Sequence, residues 1–158
     1  MVCYIRQALK LFTEVDFSFH TEGGDFLRAG DAASRIKKIL KQLNIDHQLI
    51  KRITVALYEA EVNIVAHAFR GTINVNIDAD KIYINLTDEG PGIPDISLAM
   101  KEGYSTASDK VREMGFGAGM GLANIKKNAD ILNIQSKVGV GTTVEITILL
   151  KDQKNGTN

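Results

Sequence analysis

Two stretches of strict alternation, Ile73-x-Val75-x-Ile77 and Ile82-x-Ile84-x-Leu86, flank the short segment Asp78-Ala79-Asp80-Lys81. Side chains on a strand alternate between faces, so each stretch offers one apolar face, and the turn between them makes the pair a hairpin. Residues 131–137 and 142–150 bracket Val138-Gly139-Val140-Gly141 in the same way. Hairpins pair antiparallel, which excludes a doubly wound nucleotide fold. Val15, Phe17 and Phe19 alternate with Asp16, Ser18 and His20, giving one more strand ahead of the first hairpin. Between them, Phe26, Ala29, Ala33, Ile36, Ile39, Leu40 and Leu43 form a helical stripe. Asp46 is the expected N-cap of a second helix over 47–69, with Ile50, Ile53, Leu57, Ala60 and Ile64 inward and Gly71 as its end. A short apolar helix is expected over 95–101 and another helix over 119–130. The order β-α-α-β-β-loop-α-β-β predicts an α/β (α+β) two-layer sandwich, its sheet mixed and mainly antiparallel, with helices on one face.

Length and composition fit that reading. A chain of 158 residues, 44% hydrophobic and 24% charged, suits one domain with its own core. We place that domain at 14–150, between an N-terminal arm (1–13) whose Ile5, Leu9 and Phe12 are available for docking and a polar tail (151–158). Lys+Arg and Asp+Glu balance at 19 each, which gives no electrostatic reason to expect a nucleic-acid or membrane-surface protein. The lone Cys3 allows no internal disulfide and no cysteine-rich zinc site, which fits a reducing cytoplasm. No apolar run reaches the roughly 20 residues of a membrane span, and the segment from Met1 to Arg6 lacks the apolar stretch of a signal peptide.

Seven of the 14 glycines lie between Gly90 and Gly121. Glycine loses the most backbone entropy on folding, so a cluster implies either a linker or a backbone that approaches a ligand closely. Standard nucleotide signatures do not match. There is no G-x-x-x-x-G-K-[ST], the run Gly117-Ala-Gly119-Met-Gly121-Leu122 misses dinucleotide spacing, and no H-R-D, D-F-G or H-E-x-x-H occurs. Three constellations remain. Glu59, Asn63 and His67 stand at i, i+4 and i+8, drifting only about 80° over two turns, so they share one face of an otherwise apolar helix. Asp88-Glu89-Gly90-Pro91-Gly92-Ile93 follows a strand and on its own reads equally as a surface turn. Gly115-Phe-Gly117-Ala-Gly119-Met-Gly121-Leu122 leads into a helix, whose free N–H groups and dipole suit an anion.

Together and in this order, the three resemble the N, G1 and G2 boxes of the GHKL (Bergerat-fold) ATPase superfamily. Gly139-Val-Gly141-Thr142-Thr143 resembles its fourth element, and the likeness spans about residues 14–150. Within it, Glu59-Ala60-x-x-Asn63-x-x-x-His67-Ala68, the stretch from Asp88 to Ile96, and Gly103-Tyr104-Ser105-Thr106 are most similar to the serine/threonine kinases of the anti-sigma regulatory type, the RsbW, SpoIIAB and RsbT group. The resemblance implies ATP and Mg²⁺ as cofactors and a STAS-domain protein as phosphoacceptor, with a sigma factor as a further partner of some members. It leaves monomer or homodimer open.

By that resemblance Asn63 is the Mg²⁺ ligand and Glu59 the base for the attacking hydroxyl. Glu61 puts a second acid nearby, and Glu59 is preferred because it lies on the Asn63 face. His67 belongs to the N box, Asp88 would read the adenine amino group with Gly90, Gly92 and Ile93 beside it, and Thr142 would join that contact. Gly115, Gly117, Ala118, Gly119, Met120, Gly121 and Leu122 would form the phosphate loop. Residues 93–114 correspond to the lid, including Ser105 and Thr106, with Lys110 or Arg112 as candidates for the γ-phosphate. The lid is longer than in RsbT-type members, with Ala107 to Met114 extra. Two other functions remain open: a non-catalytic, ATP-gated binding module that sequesters a sigma factor or other regulator, and a detached histidine-kinase catalytic domain that would need a separate phosphoacceptor domain.

Overall fold

The alternating stretches become strands with few changes of boundary. A computed structural model describes residues 14–150, so the expected arm and tail lie outside the described residues. Five strands, β1 (Val15–Glu22), β2 (Arg70–Ile77), β3 (Lys81–Glu89), β4 (Ile131–Lys137) and β5 (Gly141–Leu149), form one sheet in the order β1-β2-β3-β5-β4. All pairings are antiparallel, so the sheet is antiparallel throughout rather than mainly so. The reason is topological. The long connection after β3 delivers β4 to the outer edge, and the hairpin back inserts β5 between the two strands that run in the same direction.

One face of this sheet is apolar. Ile73, Val75, Ile77, Ile82, Ile84, Leu86, Ile146 and Ile148 are buried against helices α1 (Asp31–Gln42) and α2 (His47–His67). The shorter helices are α3 (Ile96–Ala99), α4 (Asp109–Glu113) and α5 (Gly121–Asn128). The outward face carries Asp16, Asn76, Tyr83, Asn133 and Glu145, tied by side-chain hydrogen bonds such as Tyr83 Oη to Glu145 at 2.5 Å. Among the described residues no helix is long and apolar enough to cross a membrane.

α3 and α5 are one or two residues shorter at each end than expected, and the boundaries of α1 and α2 differ for physical reasons. α1 starts at Asp31, not near Phe26, because Gly30 takes a left-handed conformation (φ 94°) and offers no side-chain cap. Glu61 of α2 supplies the cap instead, accepting N–H bonds from Ala32 at 3.1 Å and Ala33 at 3.2 Å. α2 begins as expected on Asp46, whose carboxylate accepts from the Gln48 and Leu49 N–H groups. It ends at His67, where Ala68 turns extended. Gly71 lies in β2, and a Cβ there would come within 2.8 Å of Ile64 Cδ1; it lets the helix lie close on the sheet rather than ending it.

Glu61 is 2% exposed. Glu61→Ala leaves two buried N–H groups without acceptors and is expected to destabilise the fold by about 2–3 kcal/mol, read by urea unfolding. Burial also raises the Glu61 carboxyl above the ordinary carboxylate range, against the opposing pull of the N–H groups. Between those two values the folded chain keeps a proton that the unfolded chain has released. Stability therefore falls as pH rises through that window, and Glu61→Ala removes this share of the slope.

Candidate functional site

The polar row of α2 opens on a cleft of about 440 Å³. Its walls are α2, the ends of β3 and β5, residues 91–99, the segment 104–106 and the glycine loop 115–122. The inward row of the same helix (Ile50, Ile53, Leu57, Ala60, Ile64) is buried on the sheet, which fixes the rotation of the helix and points Glu59, Asn63 and His67 into the cleft.

At one end, the head of α5 meets α2. A Cβ on Gly121 would lie 3.1 Å from Asn63 Oδ1 and 3.4 Å from Glu59 Oε2, so glycine here lets the first turn of α5 approach both oxygens without displacing them. Glu59 Oε1 accepts a hydrogen bond from Asn124 Nδ2 at 2.8 Å. A helix N-terminus beside a carboxylate and a carboxamide oxygen suits a polyanion and a hard cation together. Burial lowers the His67 imidazole below its ordinary pKa, which favours the neutral ring.

At the other end, Asp88 closes β3. Its Oδ1 accepts the Thr142 N–H at 3.1 Å, and burial beside the apolar Leu86 and Val144 raises its carboxyl above the ordinary range. Ser136 braces this end. Its hydroxyl accepts the Ile93 N–H at 2.7 Å, lies 2.8 Å from Thr142 Oγ1 and donates to the Gly141 carbonyl at 3.1 Å. Gly92 (φ 73°) passes so near β4 that a Cβ would sit 2.4 Å from the Lys137 carbonyl oxygen. A carboxylate that needs a donor, set in an apolar slot, suits a flat heterocycle with an exocyclic amine.

The segment over the cleft contains α4, a helix within the stretch expected to be a loop. Ser108 caps it by accepting the Val111 N–H, and Val111 and Ala107 are buried beneath it. An N-cap serine followed by an acid in the first turn is the local signal for it. The glycines under this segment have a packing reason of their own. A Cβ on Gly117 would lie 2.3 Å from Ala107 Cβ, and one on Gly119 would lie 2.5 Å from the Gly103 carbonyl carbon. Phe116 stacks at a tilt on Phe26, with ring centroids 5.0 Å apart, joining the loop to the turn before α1.

The structure thus gathers Glu59, Asn63, His67, Asp88, Gly92, Ile93, Ser105, Thr106, Gly115, Gly117, Ala118, Gly119, Met120, Gly121, Leu122 and Thr142 around one cleft. Gly90 is not on its wall; it is buried against Ala68, with its N–H donated to the Val140 carbonyl. Lys110 and Arg112 also lie off the wall. Arg112 donates to the Ser105 carbonyl at 3.2 Å, and Lys110 is exposed on α4. Glu61 is spent on α1, so only one of the two acids faces the cleft. Ser136 and Asn124 carry no local signal, because each acts through a partner distant in the chain, and Phe26, expected in the stripe of the first helix, packs on Phe116 instead.

Comparison with known proteins identifies the family and the fold. The histidine kinase-, DNA gyrase B-, and HSP90-like ATPase family matches residues 48–152. The serine/threonine-protein kinase RsbT of Bacillus subtilis (strain 168) is 33% identical over 113 residues, covering 69% of this chain and 79% of that protein. An anti-sigma F factor of Thermoanaerobacter sp. (strain X514) is 31% identical over 146 residues, covering 89% and 95%. Two solved structures share the fold. The SiaB–SiaC complex of Pseudomonas aeruginosa matches with a TM-score of 0.57 at 10% identity, over 94% of this chain and 98% of that one. The RsbU and RsbW domains of Rv1364c from Mycobacterium tuberculosis match at 0.55 and 17% identity, over 89% of this chain but only 35% of that longer one.

Proposed function

Since the chain belongs to the histidine kinase-, DNA gyrase B-, and HSP90-like ATPase family, we propose that it binds Mg-ATP in this cleft and transfers the γ-phosphate to a serine or threonine of a STAS-domain protein. The observation that carries the reading is the meeting of Glu59, Asn63 and the head of α5 at Gly121. Asp88 takes the adenine amino group, with Thr142 and Ser136 holding that end of the cleft. The loop from Gly115 to Leu122 takes the phosphates. Asn63 offers its carboxamide oxygen to the metal. Mg²⁺ keeps waters and phosphate oxygens and takes only one or two protein ligands, so a single side-chain oxygen beside an anion site fits it. When bound, the ion would neutralise charge on the phosphates.

Glu59 then accepts the proton of the incoming hydroxyl as its oxygen bonds to the γ-phosphorus and the bond to ADP breaks. Phosphoryl transfer is largely positioning and charge neutralisation, so a site this small suffices. The test is incubation of the purified chain with γ-labelled ATP, Mg²⁺ and STAS-domain proteins of the same organism; label on a serine or threonine is expected. A partner bound in an ATP-dependent way with no label transferred would overturn the kinase reading. It would favour the second reading, an ATP-gated module that holds a sigma factor, which the likeness to an anti-sigma F factor supports.

Asn63→Ala is expected to weaken Mg²⁺-dependent ATP binding by about a hundredfold while leaving the fold intact. Titration with a fluorescent ATP analogue, with and without Mg²⁺, reads the difference.

A further inference from the structure

We propose that Asn124 is the positioning residue for Glu59, an inference that rests on the kinase reading above. Asn124 sits in the first turn of α5, a half-buried polar side chain facing α2. Its Nδ2 donates to Glu59 Oε1 at 2.8 Å, across 65 residues of sequence. The other oxygen, Oε2, is the one that faces Gly121, 3.4 Å from where its Cβ would stand, and Asn63 Oδ1 lies 3.1 Å from the same point. A glutamate left alone rotates about its last torsion and presents either oxygen in any direction. With Oε1 held, Oε2 is directed at the place where the glycine loop would present the γ-phosphate. The choice of an amide fits the task. It donates without carrying a positive charge, so it orients the carboxylate and leaves its negative charge for the proton it must accept. α5 also begins at the glycine loop, so the residue that aims the base rides on the element that would hold the phosphates.

The experiment compares Asn124→Leu and Asn124→Gln with the unaltered chain, each with Mg-ATP and the STAS-domain acceptor, alongside melting temperature. Leucine fills the space without a donor; glutamine restores a donor. For Asn124→Leu, kcat is expected to fall about tenfold, with KM for ATP and melting temperature little changed, and Asn124→Gln is expected to recover part of the loss. Equal kcat in Asn124→Leu and the unaltered chain overturns the positioning role and leaves the kinase reading standing. Equal losses in both variants, tracking melting temperature, also overturn it in favour of packing. No transfer by the unaltered chain overturns both.

Discussion

Glu59→Gln is expected to keep ATP bound and to slow phosphoryl transfer by about 10²–10⁴-fold, the range a general base contributes. Glutamine preserves the length and the oxygen that accepts from Asn124 Nδ2, so positioning survives and only the proton acceptor is lost. The neighbouring acid gives no rescue, because both Glu61 oxygens are occupied by the Ala32 and Ala33 N–H groups on the far side of α2. Single-turnover transfer from labelled ATP, set beside equilibrium binding of the nucleotide, separates the two effects. Transfer within a few-fold of the unaltered chain would mean that Glu59 is not the base.

Gly119→Ala is the second large effect, and it tests the loop rather than the base. Gly119 has φ 77°, and a Cβ there would meet the Gly103 carbonyl carbon at 2.5 Å and the Tyr104 carbonyl oxygen at 2.6 Å. Both are backbone, which cannot swing aside, and the Gly103 N–H donates to the Gly119 carbonyl at 2.9 Å. A methyl group must therefore part the lid from the loop. We expect ATP affinity to fall about a hundredfold, since strain and crowding here each reach about 1–3 kcal/mol. Gly115→Ala is the control. Gly115 is also left-handed (φ 86°), but nothing lies within 4 Å of its Cβ position, so it reports strain alone, about 1 kcal/mol. Calorimetric titration of both variants with ATP makes the comparison; equal losses would mean that conformation, and not lid contact, sets the need for glycine.

Local periodicity is why so much of this fold was legible. The hairpin strands alternate, the Asp46 cap stands directly before its helix, and Glu59, Asn63 and His67 fall on one face by helical spacing alone. What stayed hidden depends on long-range contact. Phe26 and Ala29 match the stripe of α1, yet the helix begins at Asp31, because its cap comes from Glu61 on a different helix. Gly71 reads as a helix stop, but its small size serves the packing of Ile64 on β2. Ser136 reads as one more polar residue on an edge strand, and only the fold shows it joining Ile93 to Thr142. The glycine loop is half legible: its cluster of glycines implies a close approach by something, whereas the methyl of Ala107 and the backbone at Gly103, which occupy the space beside it, lie too far away in the chain to be read locally.

The insertion of β5 between β3 and β4 also sets when the site can exist during synthesis. β5 carries Thr142, and its neighbours in the sheet are made earlier. While the ribosome has yet to release Gly141–Leu149, β3 is paired on its β2 side alone and Asp88 lacks the N–H that it accepts. The helix with Glu59 and Asn63, the lid and the glycine loop all emerge before that strand. The nascent chain therefore holds most of the cleft wall while its sheet is still divided, and β5, the last of the described strands in chain order, completes it.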